Sequence, residues 1–288
     1  MGGGGAYYTS VQLIHFRRIP KIHASVVLYL GIIAFICSNT QNNHPAAVVE
    51  RIMLKLDHRS NAKECIDAPQ VDAWTLRQTY DQIKKINVYT LGYWPTMIAV
   101  GYFLARYGHH RKINILDIGC GDGETLRLID DYARRRDFSL ELTGIDINRD
   151  VIATAVELTS PCIHFKHGDI LADSGNGSYD LIINSLTMHH LTDQEIVSLI
   201  QWMCGHSRMG WFISDLHRHK IAYYFIKYFN KLVGFNHLVC HDAPLSVARG
   251  FRYHEWTGLL GQAGIDLGHI KISWYPNFRY GIRYEKCI

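Results

Sequence analysis

Apolar positions recur along this chain with two different periods. Between Val71 and Asn87 they return every three or four residues. Leu76, Tyr80 and Ile83 share one face and Asp72 stands ready to cap the first turn, which predicts an amphipathic helix. A second helix is expected from Pro95, suited to a first helical turn, to Tyr107 before Gly108. Its stretch "MIAVGYFLA" is apolar all round, as for a helix buried against a larger body. The pair fits plain core packing as well as a cap over a ligand cleft. Beyond Gly108 short apolar runs predict strands at Ile113–Asp117, Leu140–Asp146, Ile163–His167, Leu181–Asn184, Gly210–Asp215, Ile270–Trp274 and Tyr280–Tyr284. Helical periodicity falls between them at Glu124–Arg135, Arg149–Leu158, Asp193–Cys204, Ile221–Val233 and His254–Ala263. Such alternation predicts parallel strands with crossover helices on both faces. Only "YPNF" and its flank separate the last two strands, so they form an antiparallel hairpin at one end.

Composition changes this picture little. The 288 residues are 48% hydrophobic and 19% charged, enough for a sizeable core. The formal charge is +4, and no block of like charges suggests a nucleic-acid partner. Cys37, Cys65, Cys120, Cys162, Cys204, Cys240 and Cys287 are odd in number and form no CxxC pair. That favours reduced thiols and a cytoplasmic setting over a disulfide framework or a zinc site, and no metal is expected.

The first part of the chain reads differently. Three basic residues precede an uncharged apolar run at residues 24–37, which is shorter than a bilayer span needs. Residues 1–52 therefore read as a non-core extension ahead of a start at Met53, as a signal or membrane anchor, or as an extra helix. Residues 53–108 are expected to form a helical cap arm and 109–288 the main domain.

The densest chemical signal is "ILDIGCGDGETL", Ile115–Leu126, where an apolar strand breaks into Gly119, Gly121 and Gly123 and then turns helical. In a doubly wound sheet ligands sit at the carboxyl ends of the strands, and glycines there let backbone approach a ligand closely. The dinucleotide fingerprint G-x-G-x-x-G is not matched, because its third glycine position holds Glu124. Three later stations follow in order: "GIDIN" ending in Asp146 and its neighbours, "HGDI" with Asp169, and "YDLIINSLTMHHLTD". A carboxylate such as Asp146 can accept from two vicinal hydroxyls, and one at Asp169 can accept from an amine.

These four segments resemble class I S-adenosylmethionine-dependent methyltransferases, and "RSNAKECIDAPQ" with "HDAPLSVARGFRYHEW" resembles a bacterial small-molecule subgroup of them. The resemblance implies an α/β, doubly wound, Rossmann-like sheet of seven strands, the last antiparallel, with an N-terminal helical cap. It implies S-adenosylmethionine as cofactor, held by Asp117, Gly119, Cys120, Gly121, Asp146, Ile147, Asp169, Ile170 and Asn184, with Asp146 on the ribose and Asp169 near the adenine amino group. The expected activity is O-, C- or N-methylation of a small molecule. The chain has "NSLT" where amino-methylating relatives carry an Asn/Asp-Pro-Pro-aromatic motif, so adenine or glutamine is not the expected acceptor. A catalytically inactive cofactor-binding partner subunit is the alternative. A hydroxyl acceptor would benefit from a base, for which His190, after the fourth strand, and His217, after the fifth, are the candidates. Ser246, Arg249 and Tyr253 lie in an insertion that could close over substrate.

Overall fold

A computed structural model describes residues 56–67, 71–108, 111–158, 162–172 and 177–286. The apolar run at residues 24–37, read as an anchor, lies outside the described residues. Among the described residues no helix is long and apolar enough to cross a membrane.

The sheet strands are β1 (Ile113–Ile118), β2 (Leu140–Asp146), β3 (Ile163–His167), β4 (Tyr179–Ser185), β5 (Ser207–Leu216), β6 (Ile270–Tyr275) and β7 (Arg279–Glu285). They form one seven-stranded sheet in the order β3-β2-β1-β4-β5-β7-β6. β1 to β5 pair in parallel, whereas β7 enters antiparallel between β5 and β6. The fold is thus doubly wound, with the order reversing between β1 and β4, and the antiparallel last strand is present.

The period of two along the strands separates two cores. Ile113 and Ile115 of β1, Leu181 and Ile183 of β4, and Phe212 of β5 face one cluster. Leu116, Ile118, Ile182, Trp211 and Ile213 face the other. Helices α1 (Ala73–Tyr89) and α2 (Trp94–Tyr107) precede the sheet; α3 (Glu124–Arg134), α4 (Arg149–Glu157) and α5 (Asp193–His206) cross between strands. Phe103, Leu104 and Val100 of α2 pack in the first cluster, so this apolar helix belongs to the sheet's own layer. The second cluster takes Ile196, Leu199 and Ile200 of α5 and, from α8 (Tyr253–Gln262), Trp256 and Leu260.

A third, smaller core makes the cap. Ile86 of α1 meets Phe225, Ile226 and Phe229 of α6 (Lys220–Val233) and Val239 and Val247 of α7 (His237–Arg249). Helix α7 departs from the sequence expectation, which left that stretch as an insertion. Pro244 lies inside it and cannot donate a backbone hydrogen bond, and its polar residues blur the helical period. Asn236 nevertheless caps its start by accepting from the Val239 amide. Residues 56–67 run as a strap along α7. The strap is pinned by Ser60 N–H to the Ala248 carbonyl (3.0 Å) and by Arg59, which bridges Asp193 and donates to the Leu191 and Arg249 carbonyls.

Candidate active site

The turn after β1 is built from the inside. Gly119, Gly121 and Gly123 have φ of 69°, 55° and 82°, a region that costs a side-chain-bearing residue strain. Their closest neighbours are the protein's own side chains. A Cβ on Gly119 would collide with Thr187, one on Gly123 with Phe165, and one on Gly121 would stand 3.0 Å from the ring of Tyr80 in the cap. The Gly121 N–H donates to Asp146 Oδ2 (2.9 Å), and Asp146 Oδ1 accepts from Asn148 N–H (2.9 Å). Each oxygen of Asp146 keeps lone-pair capacity for a further donor. Glu124, awkward beside a pyrophosphate, is neutralised by Lys84 (2.6 Å) and Arg127 (2.8 Å).

A cavity of about 870 Å³ opens on this turn. At one end Asp117, Gly119, Cys120, Gly121, Asp122, Asp146, Ile147 and Asp150 line it. Asp117 is buried at 1% exposure, and its Oδ1 has no hydrogen-bond partner among the described residues. Burial, and then the nearby Asp146, push the Asp117 carboxyl well above the usual range. Burial also raises Asp146, against its two backbone N–H bonds. The walls that the cap contributes are largely apolar: Leu76, Ile83 and Ile86 from α1, Phe225 and Ile226 from α6, Val239 and Val247 from α7.

Glu64, Asp67, His189 and His190 also line this cavity. His189 Nδ1 donates to Asp215 Oδ1 (2.8 Å), both side chains being buried. His190 Nδ1 donates to Asp67 Oδ2 (3.0 Å), and Glu64 from the strap comes within 3.7 Å of His189 Nε2 and 3.9 Å of His190 Nε2. Burial opposes a charged Asp215, yet the His189 interaction and two backbone amides hold its pKa below the ordinary value. His190 is shifted up, its carboxylate neighbours outweighing burial.

The sequence-derived residues fall into two sets. Asp117, Gly119, Cys120, Gly121, Asp146, Ile147 and His190 all line the cavity. Asp169, Ile170, Asn184 and His217 are not among its lining residues. Asp169 is exposed and turns back to accept from the Leu171 amide (2.9 Å), while Ile170 packs against the sheet core. Asn184 is fully buried and donates to the Ile118 carbonyl (2.8 Å), which stitches the ends of β1 and β4. His217 sits among Phe278, Tyr280, His219 and Trp274, whose indole N–H donates to its Nδ1 (3.1 Å). Of the insertion residues, Ser246 lines the cavity, Tyr253 is exposed, and Arg249 is a buried clamp that donates to the carbonyls of His189 (2.8 Å) and Ala62.

Burial, with His219 and nearby arginines, pushes the His217 pKa down to about 4. A histidine depressed on folding resists protonation, so its contribution to stability is lost as pH falls from its ordinary value near 6.5 toward 4. Urea titrations across that window are expected to show a shallower pH slope for His217→Gln than for the parent. Equal slopes would contradict this environment.

Glu64, Asp67 and Asp215 escaped the sequence reading as site residues, and Tyr80 was read only as part of a helix face. His189 stood in the quoted "MHH", but loop direction favoured its neighbour; Asp215 closes a predicted strand, where a carboxylate partner for a histidine was a readable signal. Glu64 and Asp67 lie in the strap and its short 3-10 turn, which has no hydrophobic period to place them.

Residues 115–210, from β1 into β5, match the family model described as a methyltransferase domain. That stretch is similar to a methyltransferase domain. The match spans the glycine turn, Asp146 and the histidine pair, while the cap helices and the terminal hairpin lie outside it. Among solved structures, the plantazolicin methyltransferase BpumL in complex with a pentazolic desmethylPZN analog and SAH is 15% identical. That match covers 74% of this chain and 91% of that one, with a TM-score of 0.55. Magnesium protoporphyrin IX methyltransferase (ChlM) from Synechocystis PCC 6803, with bound SAH, is also 15% identical, covering 75% and 94% with a TM-score of 0.50. At these identities the likeness concerns the fold. No curated protein sequence matches the chain.

Proposed function

We propose that this methyltransferase domain binds S-adenosylmethionine at the β1–β2 end of the cavity and transfers its methyl group to a small, largely apolar acceptor held under the cap. The observation that carries the proposal is the single cavity. It joins a carboxylate-rich cradle at Gly119–Gly121 and Asp146 to an apolar chamber walled by α1, α6 and α7. Its volume is within the range of about 300–1,000 Å³ usual for ligand pockets.

The cradle's chemistry fits the donor. Asp146 has acceptor capacity for a ribose diol, and the partnerless buried oxygen of Asp117 suits an ammonium or sulfonium centre. Asp169 and Asn184 are left out of this assignment, one turned onto its own loop and the other onto β1. S-Adenosylmethionine when bound supplies an activated methyl on a sulfonium, whose sulfur keeps the bonding pair as the acceptor's lone pair takes the carbon. The chain's own contribution is to orient and to exclude water, tasks for the cap core and for Tyr80 over the glycine turn. The acceptor atom is expected near His189 and His190, because both imidazoles line the cavity that the cradle and the apolar walls share.

The test incubates the full chain with methyl-labelled donor and small-molecule extracts. Transfer of label to an extract component is expected. Donor binding with no transfer on any extract would favour the inactive partner subunit instead. With a substrate in hand, His190→Ala is expected to slow single-turnover transfer about 100-fold or more. His217→Ala, outside the cavity, is expected to leave that rate near the parent's, and the reverse pattern would overturn the placement of the acceptor.

A further inference from the structure

The histidine pair is arranged in a way that general-base chemistry alone does not require. Each imidazole has its Nδ1 engaged by a dedicated carboxylate, Asp215 for His189 and Asp67 for His190. A carboxylate accepts, so both Nδ1 atoms carry protons, and in the neutral imidazoles both Nε2 atoms offer a lone pair. Those two Nε2 atoms lie 3.7 and 3.9 Å from the two oxygens of one carboxylate, Glu64. These separations exceed a hydrogen bond.

Glu64 is 5% exposed, and its Oε1 has no hydrogen-bond partner among the described residues. Arg249 comes within 3.9 Å of Oε1, but its Nε–H is directed to the His189 carbonyl at 2.8 Å. With both imidazoles neutral, three electron-pair donors therefore converge in a buried place. A buried carboxylate in that position is costly unless a cation joins it.

The distances suit a metal ion. Nitrogen and oxygen ligands bind zinc at about 2.0–2.2 Å, which places tetrahedral ligand atoms roughly 3.3–3.5 Å apart. One ligand atom from each of Glu64, His189 and His190 already lies within 4.8 Å of the others, so a shift of about half an ångström to an ångström closes the set. Carboxylates backing the far nitrogen of each imidazole are the usual support of metal-binding histidines. Two imidazoles and one carboxylate make a donor set for zinc or ferrous-type ions rather than magnesium or calcium.

We propose that Glu64, His189 and His190 bind one divalent transition-metal ion, oriented by Asp215 and Asp67, with the remaining coordination positions open to the cavity for an oxygen of the acceptor. The last clause rests on the methyl-transfer reading; the ion site itself does not. An oxygen-bearing acceptor such as a phenol or enol is the class that fits, since coordination favours its deprotonated form, with the proton released to solvent. Cysteine spacing gave no hint of this site, because its ligands are not cysteines and one comes from the strap, far away in sequence.

Cobalt(II) is the probe. The full chain, stripped with chelator and dialysed, is expected to take up one equivalent with a visible spectrum of nitrogen and oxygen ligation. Glu64→Gln and His189→Gln are expected to weaken uptake at least about 100-fold, and Asp215→Asn about 10- to 100-fold. His190→Gln guards against misfolding of the buried variants, since its side chain is 26% exposed, and it is expected to weaken uptake comparably. Circular dichroism on each variant establishes that it folds. Failure of the parent to bind cobalt stoichiometrically, or equal binding by His190→Gln, would overturn the site. A thiolate charge-transfer band that disappears in Cys65→Ser would do so as well, by assigning the ion to Cys65, His241 and Asp242 instead. S-Adenosylmethionine titrations run beside these separate the two readings. Cobalt uptake without donor binding refutes methyl transfer and keeps the metal, and the opposite result refutes the metal alone.

Discussion

Asp146→Ala is expected to weaken S-adenosylmethionine binding by about 1.5–3 kcal/mol, the scale of hydrogen bonds to a charged group. That corresponds to roughly 10- to 150-fold in dissociation constant. The side chain acts twice. It offers acceptor capacity to a ligand diol, and it holds the turn through the Gly121 N–H (2.9 Å). Asp146→Asn keeps the Gly121 bond through its amide oxygen, while its NH₂ gives up the bond from Asn148 N–H and presents donors where the diol needs an acceptor. Both variants are expected to lose affinity, and only Asp146→Ala to lose order in the turn as well. Calorimetric affinities equal to the parent's would contradict the placement of the donor.

Arg218→Ala is expected to destabilise the fold by about 3–5 kcal/mol, as for breaking a buried pair from one side. The Arg218 side chain is fully buried after β5 and donates to both oxygens of Glu255 (2.9 and 2.7 Å). It also donates to the carbonyls of Leu56 (3.0 Å), Asp57 (3.3 Å) and Gly250 (2.6 Å). It therefore ties the strap to the start of α8, where Glu255 also accepts from the Arg252 amide. Although burial opposes its charge, Glu255 is held below the ordinary carboxylate range, chiefly by Arg218. The sign follows: this stabilisation is present above the ordinary glutamate pKa and is lost as pH falls through the depressed one. Urea unfolding that shows a loss below about 1 kcal/mol would mean that water replaces the arginine without penalty, against its burial.

The sheet was readable because its strands are short apolar runs bounded by turn residues. β2 and β3 begin and end where the hydrophobic pattern places them. β4 and β5 begin earlier, at Tyr179 and Ser207, where a register shift lets polar residues pair. The glycine turn was readable too, but its reason was incomplete. The glycines answer positive φ and the close approach of Thr187, Tyr80 and Phe165, and a ligand is one more neighbour. Helix α7 was hidden by Pro244, and the strap by its lack of any period. Asp169 followed the family order of stations, and its Oδ1 accepts from the Leu171 amide, outside the lining of the cavity. For the helix and the strap, contacts distant in sequence outweighed the pattern.

The most direct test of the central claim is calorimetric titration of S-adenosylmethionine into the unmodified full chain. One equivalent of binding is expected, displaced by S-adenosylhomocysteine, with no heat on titrating NAD under the same conditions. Saturable binding of NAD with none of S-adenosylmethionine would contradict the account.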